Sequence, residues 1–387
     1  MKKYFLDKCP FAKKYLLWLL LPLVSSCLQP FNPPEISGGA GFLVVDGYLD
    51  TGGDTTTIRL MRTQNLTDPG RPPAATRAQV TIEGDGGSTY PLREAQAGNY
   101  LLTGVPLTGN GQYRLRIRTN DGQEYLSDYV PLKVTPPIDS VNWQAGGDGL
   151  QLYVNTHDPA GNTRYYRWEF AETWEYNTPY NVYYFYRRGA KNPVTENISK
   201  CWATINSLNI VLGTSARLSE DLIYQYPLTL VPPGSEKHQL RYSILVKQYA
   251  LTREGYEYWL NLKRNTENLG TLFDPQPSQV GGNIRSVNNP EEVVIGFFSA
   301  CSVQEKRIFI TRNELPRNWR RFTGYEDCDL DTLLTIPENE TLLRTTAFPV
   351  VSELVGPGGF IGGYVYTDNY CVDCRIRGGV NRRPSFW

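Results

Sequence analysis

The chain has 387 residues, with 39 basic and 39 acidic side chains, two histidines, two methionines and seven cysteines. That balance sets up no long-range positive field to gather nucleic acid, and no local basic block does so either. With 35 glycines, 27 prolines, 26 tyrosines and 40% hydrophobic residues, the composition points to a folded chain of many short strands joined by turns, neither helical nor disordered.

Residues 1–26 read as a leader. Lys2, Lys3, Lys8, Lys13 and Lys14 make a basic head, Tyr15 to Leu23 is an almost unbroken apolar run, and Val24-Ser25-Ser26-Cys27 follows. Charged, apolar, then small is the layout of a secretory signal. The run is too short to span a bilayer, which takes about 20 residues. A small-residue cleavage site followed at once by cysteine resembles the bacterial lipobox, which makes Cys27 the expected site of lipidation (palmitate among the acyl groups) and the first residue of the mature protein. The alternative is an ordinary signal peptide with a chance cysteine. Losing the leader removes five lysines and Asp7, leaving 34 basic against 38 acidic side chains. The remaining length suits two domains at about 100–200 residues each.

Residues 27–41 carry prolines and glycines without periodicity and read as a solvated tether. From Phe42 the period becomes two. Leu43 and Val45, Ile58 and Leu60, and Val80 and Ile82 alternate with polar neighbours, and over Gln112–Thr119 Tyr113, Leu115 and Ile117 face away from Arg114, Arg116 and Arg118. That is a half-buried antiparallel strand. Asn120-Asp121-Gly122 then turns the chain into Tyr125, Ser127 and Tyr129. Residues 42–135 are therefore expected to form an N-terminal immunoglobulin-like β-sandwich. Pro136-Pro137 marks a boundary, and residues 138–387 are expected to form a second sandwich of the immunoglobulin or fibronectin kind, making the whole all-β. Its strands are expected around Leu150–Val154, Tyr166–Phe170, Ile205–Leu212, Leu240–Tyr249, Val293–Phe298 and Arg307–Thr311. One helix interrupts them at about 252–268, with Thr252 as N-cap, Glu254 in its first turn, and Tyr256, Trp259, Leu260 and Lys263 on one face; it is expected to pack on the second sandwich through Trp259.

Five cysteines remain once Cys9 leaves with the leader and Cys27 takes lipid. Cys301 lies in an apolar stretch and reads as a small buried hydrophobe. In an oxidising compartment Cys201 and Cys328 are then expected to pair with Cys371 and Cys374, in an order that spacing does not fix. A four-thiolate zinc site is the alternative for Cys371-Val372-Asp373-Cys374, but such sites normally bring two close pairs and this sequence has one. A redox role wants a helix after the second cysteine, and no helical pattern follows Cys374. No metal and no cofactor are expected.

Catalytic devices are sparse. His157 ends a strand, His238 sits in a loop, and no Gly-x-Ser-x-Gly elbow, His-Glu-x-x-His or phosphate-cradling loop occurs. The expectation is a protein that is not an enzyme, although carboxylate pairs assembled by the fold cannot be read from sequence. One segment crowds flat rings: Trp174, Tyr176, Tyr180, Tyr183, Tyr184 and Tyr186, broken by Asn177, Pro179 and Asn181 into what reads as a projecting loop. These six are the expected partner or ligand interface, with burial in the core as the competing reading.

Several ordered features resemble one family. They are Cys27-Leu28-Gln29-Pro30-Phe31; Tyr256-Glu257-Tyr258-Trp259 running on to Gly270; Phe273-Asp274-Pro275 and Pro277; Val280-Gly281-Gly282-Asn283-Ile284; Gly296-Phe297-Phe298; and the tail Cys371-Val372-Asp373-Cys374-Arg375, Gly378-Gly379 and Arg383-Pro384-Ser385-Phe386-Trp387. The chain resembles the exported lipoproteins of Bacteroidota known as domain of unknown function 4249. That resemblance implies a lipid-anchored outer-membrane protein found alongside a TonB-dependent transporter, and no catalytic residues. A ligand-capturing or gating accessory of such a transporter is the leading expectation, and a free-standing adhesive or glycan-binding surface protein the alternative. Cys27 is not followed by the acidic run typical of surface export in that phylum, so cell-surface and periplasmic exposure both stay open. Replacing Cys27 with alanine is expected to abolish incorporation of labelled palmitate in cells; persistent labelling would refute lipidation at this residue.

Overall fold

The computed structural model describes residues 41–387 other than 54, 66, 67, 69, 105–110, 268–280 and 321. Cys27, residues 27–40 of the tether, and the motif residues Gly270 to Val280 lie outside these. The described chain is all-β with two helices. The first strands are β1 (Leu43–Gly47), β2 (Leu49–Asp50), β3 (Thr55–Arg62), β4 (Gln79–Gly84), β5 (Thr89–Gln96), β6 (Asn99–Thr103), β7 (Gln112–Arg118), β8 (Glu124–Ser127) and β9 (Val130–Lys133). Alternation places Leu43, Ile58, Ile82, Leu115 and Ile117 on one buried face, as period-two patterning requires. The turn after β7 closes with Thr119 N–H donating to the Gln123 carbonyl, and Gly122 supplies the positive φ of 83° that this turn needs.

The second body begins with β10 (Ile138–Gly146), β11 (Gly149–His157), β12 (Tyr165–Asn177), β13 (Tyr184–Arg187), β14 (Ala190–Pro193), β15 (Lys200–Asn206), β16 (Val211–Thr214), β17 (Leu222–Val231) and β18 (Arg241–Ala250). Helix α1 (Arg253–Glu267) follows, capped by Thr252, whose Oγ1 accepts from the Gly255 N–H at 3.1 Å. Then come β19 (Ile284–Ser286), β20 (Val294–Ile295), β21 (Ala300–Cys301), β22 (Val303–Thr311), β23 (Asp331–Leu334), helix α2 (Glu340–Thr345), β24 (Ala347–Val355) and β25 (Ile361–Tyr366). Sheets β10-β11-β17 and β15-β12-β18-β22 enclose one core. Leu150, Leu152 and Val154 point into it from the first sheet, and Trp168, Phe170, Ile244 and Val246 from the second. The strand expected over Ile205–Leu212 is broken: residues 207–210 leave the sheet, because Ser207 turns back to donate its N–H to the Phe170 carbonyl and accept the Phe170 N–H on its Oγ.

Two features depart from the two-block expectation. Val293–Phe298 does not extend the second sandwich. Instead β20 pairs in parallel with β1, β19 pairs with β8, and β21 inserts between β2 and β9, so that twelve strands curl around the first core. Glycine explains the return: a Cβ on Gly282 would sit 1.5 Å from the Gly296 carbonyl oxygen, and one on Gly296 would sit 2.3 Å from that of Val45. Asn283 completes the stitch by accepting the Phe298 N–H and donating to the Phe298 carbonyl. The second departure is a small third sheet, β14-β13-β24-β25-β23, with a core of Leu333, Leu343, Phe348, Val350 and Tyr364.

The boundary at Pro136-Pro137 is a seam. Thr135 N–H donates to Ser302 Oγ, Ser302 N–H donates to the Lys133 carbonyl, and the Ala250 N–H donates to Thr135 Oγ1. Fully buried Gln248 accepts from Trp168 Nε1 and donates to the Pro136 carbonyl and to Thr156 Oγ1, so this core amide costs little to bury. The tail is held more firmly still. Cys201 pairs with Cys374, Cys328 pairs with Cys371, and Phe386-Trp387 lie against the outer face of the second sandwich, with Arg307 over Phe386 at 3.6 Å and Arg241 over Trp387 at 5.3 Å.

Cys301 is the free thiol among the described cysteines, and burial pushes its pKa up to about 12. Since the thiolate is the nucleophile, iodoacetamide at pH 8 is expected to leave Cys301 of the folded chain unmodified and to label it only in denaturant. Rapid labelling under native conditions would contradict the buried placement.

Candidate functional site

A cleft of about 600 Å³ opens between the two sandwiches, beside α1. Its volume falls within the ~300–1,000 Å³ common for ligand sites. The first sandwich contributes β1, one side of β3 and residues 295–297; the second contributes the outward face of β12 and β18, and α1 adds Tyr258, Trp259 and Leu262. The inward positions of β12 are Trp168 and Phe170, so Arg167 and Glu169 must face out, and pairing of Arg167 with Tyr249 and Glu169 with Lys247 sets four functional side chains on one surface.

Arg167 is the centre of this surface. Its side chain is only 12% exposed, with the guanidinium 4.1 Å from the Trp259 ring centre and 4.6 Å from that of Tyr249. Two flat ring faces offset the removal of that cation from water. Arg167 Nη2 lies 3.0 Å from Glu169 Oε1, and Tyr249 donates its hydroxyl to Glu169 Oε2 at 2.7 Å. Arg167 Nε is buried without a hydrogen-bond partner among the described residues. Tyr48 meets Tyr249 edge-on at 5.1 Å, and burial raises the Tyr48 pKa to about 12; burial and then Glu169 raise that of Tyr249. Both phenols therefore stay protonated at any physiological pH. At the rim, Arg59 stands 3.7 Å from Asp46, and Lys247 reaches Glu305 at 2.8 Å.

Every ring named here is already engaged by another ring or by Arg167; Tyr258 itself packs on Phe297 and Trp259. The cleft can therefore bind through its polar groups and its apolar floor. Trp259 packs as expected against the second sandwich, while Tyr258 is the more deeply buried ring and faces the first. Sequence reasoning missed Arg167, Glu169 and Tyr249 as site residues because Arg-x-Glu beside a strand's inward aromatics reads simply as a wet face.

The expected aromatic interface is largely dismantled. Trp174 and Tyr176 are 8% and 3% exposed and belong to the core of the second sandwich, because β12 runs on to Asn177 and keeps even-numbered residues inward. Tyr176 donates its hydroxyl to the Cys374 carbonyl. Tyr180 is half-buried, donating to the Cys328 carbonyl; Tyr184 and Tyr186 pack in the third sheet. Only Tyr183 stands clear, at 81% exposure. Cys371 and Cys374 belong to different disulfides, so the Cys-x-x-Cys is neither a dithiol nor a thiolate set, and among the described residues no cluster of three or more metal-ligating side chains occurs. His238 is buried against Trp319, and that burial lowers its pKa; His157 is exposed and paired with Asp139 Oδ2 at 2.7 Å, which raises its pKa. Neither histidine lines the cleft. Trp174→Ala is expected to cost about 3–5 kcal/mol in chemical denaturation and Tyr183→Ala within about 0.5. Equal effects would contradict this division into core and surface.

No helix among the described residues is long and apolar enough to cross a membrane, which says nothing of a β-barrel. Comparison with curated proteins returns no match. Among solved structures, similarity extends to a DUF4785 family protein from Legionella pneumophila, at 11% identity and a TM-score of 0.19 over 53% of this chain and 52% of that one. It extends also to a pullulanase complexed with maltotriose from Anoxybacillus sp. LM18-11, at 10% identity and a TM-score of 0.16 over 55% and 24%. The chain thus spans about half the length of the first and a quarter of the second, and superpositions this poor carry no inference. A domain of unknown function, DUF4249, matches residues 29–307, ending before the disulfide-tied tail. With most of its length under that match, the chain belongs to the DUF4249 family.

Proposed function

We propose that this protein is a lipid-anchored outer-membrane lipoprotein that works without catalysis, as a ligand-capturing accessory of a TonB-dependent transporter. The leader and Cys27 support the anchor, and the family resemblance supports the setting. The observation that carries the capturing role is the cleft between the sandwiches, floored by Ile295, Phe297 and Leu262 and crossed by the Arg167–Glu169–Tyr249 cluster. Its hydroxyls are held protonated and neither histidine reaches it, so it offers binding groups rather than a nucleophile with a base. The adhesive or glycan-binding alternative rests on Tyr183, an isolated exposed ring, and isolated exposed rings are ordinary on protein surfaces.

A crosslinked pull-down from native outer membranes tests the reading. The intact chain is expected to recover a TonB-dependent barrel, and a chain lacking the lipidated cysteine to recover none. Failure of the intact chain to recover any such barrel would overturn the accessory role.

A further inference from the structure

We infer, resting on the capture reading above, that the cleft takes an amphipathic monocarboxylate: an apolar body on the floor and a single carboxylate on the Arg167 guanidinium. Three features of the site lead there. Arg167 is a nearly buried cation whose one carboxylate neighbour, Glu169, is shared with the Tyr249 hydroxyl, and whose Nε has no partner among the described residues. A guanidinium presents a planar fork that suits two carboxylate oxygens, and its strength grows where water is scarce. The flanking rings of Trp259 and Tyr249 fix the plane of that fork, so little freedom is lost when an anion docks.

The lining also limits the ligand's charge. Arg59, Arg167 and Lys247 supply three cations, each with a carboxylate nearby: Asp46, Glu169 and Glu305. Asp46 stands 3.7 Å from Arg59, too far for a hydrogen bond. A phosphate or other dianion would meet Glu169 and Asp46 in the same lining, whereas a single negative charge can be accommodated by loosening one weak pair. The ligand's remaining mass is set by the apolar surfaces of Leu251, Leu262, Ile295 and Phe297. Polar sugars gain little on such a floor.

The test uses the full chain and two probes of one shape, 3-phenylpropanoate and 3-phenylpropan-1-ol, titrated calorimetrically, with phosphate as a third arm. The side-chain Nε–H resonance of Arg167, identified by its loss in Arg167→Lys, is followed in arginine-labelled protein. Expected are saturable binding of the acid at least about tenfold tighter than the alcohol, a shift of the Arg167 signal by the acid alone, no saturation by phosphate, and loss of the acid's advantage in Arg167→Gln. The resonance shift in the unsubstituted chain keeps the test decisive should that variant misfold. Equal affinity of acid and alcohol would overturn the carboxylate assignment while leaving a capturing cleft. Saturation by phosphate with an Arg167 shift would overturn the restriction to a single charge. Absence of saturation by either phenyl probe would overturn the inference, and the transporter pull-down then reports separately whether the accessory role falls with it.

Discussion

The constraint on which the rest depends is that the chain crosses between its two large bodies more than once, and that two crossings are bonded side by side. Thr135 leads out of the first sheet and Ser302 leads back into the second, each hydrogen-bonded to the other's strand. A single linker of two prolines would leave the sandwiches free to reorient. Two crossings tied together, with Gln248 holding the Pro136 carbonyl from within the second core, leave the cleft walls in a fixed relation. A site built on two rigid walls loses less entropy on binding than one that must first assemble. The cleft's geometry is thus inherited from the seam beneath it.

The local pattern was legible where one face of a strand is buried and the other wet. The alternation in Gln112–Thr119, the cap at Thr252 and the apolar setting of Cys301 are all local signals, and the structure realises each of them. The destination of residues 281–301 was not legible. Nothing in the period of Val293–Phe298 says which sheet will take it, because pairing partners 150 or more residues away leave no trace in local alternation. The clue was present in another form. Gly282 and Gly296 are residues whose value lies in what they lack, and their role becomes visible only when two backbones approach more closely than any Cβ allows.

The site shows the same limit. Trp174 and Tyr176 read as a projecting loop because Asn177 and Pro179 interrupt the pattern after them, yet the strand persists to Asn177 and carries both rings inward. Arg167 and Glu169 alternate with the inward rings of β12 and would face water in an isolated sandwich. The first sandwich and α1 convert that face into a cleft, and with it change the meaning of the charges: a cation flanked by two rings and deprived of water is no longer a solubilising residue. The candidate site arises between bodies, and the sequence speaks chiefly about each body separately.

The disulfide pattern bears on how the chain matures. Cys201 precedes its partner Cys374 by 173 residues, and Cys301, Cys328 and Cys371 all lie in between, so chain order offers it three wrong partners before the right one exists. Burial of Cys301 beneath β2 and β9 withdraws the first competitor as soon as the curled sheet closes. The other two are removed together when Cys328 pairs with Cys371, three residues ahead of Cys374. The native pairing therefore requires the tail to be in place, and a chain truncated before it would leave Cys201 without its partner, an unpaired thiol open to exchange.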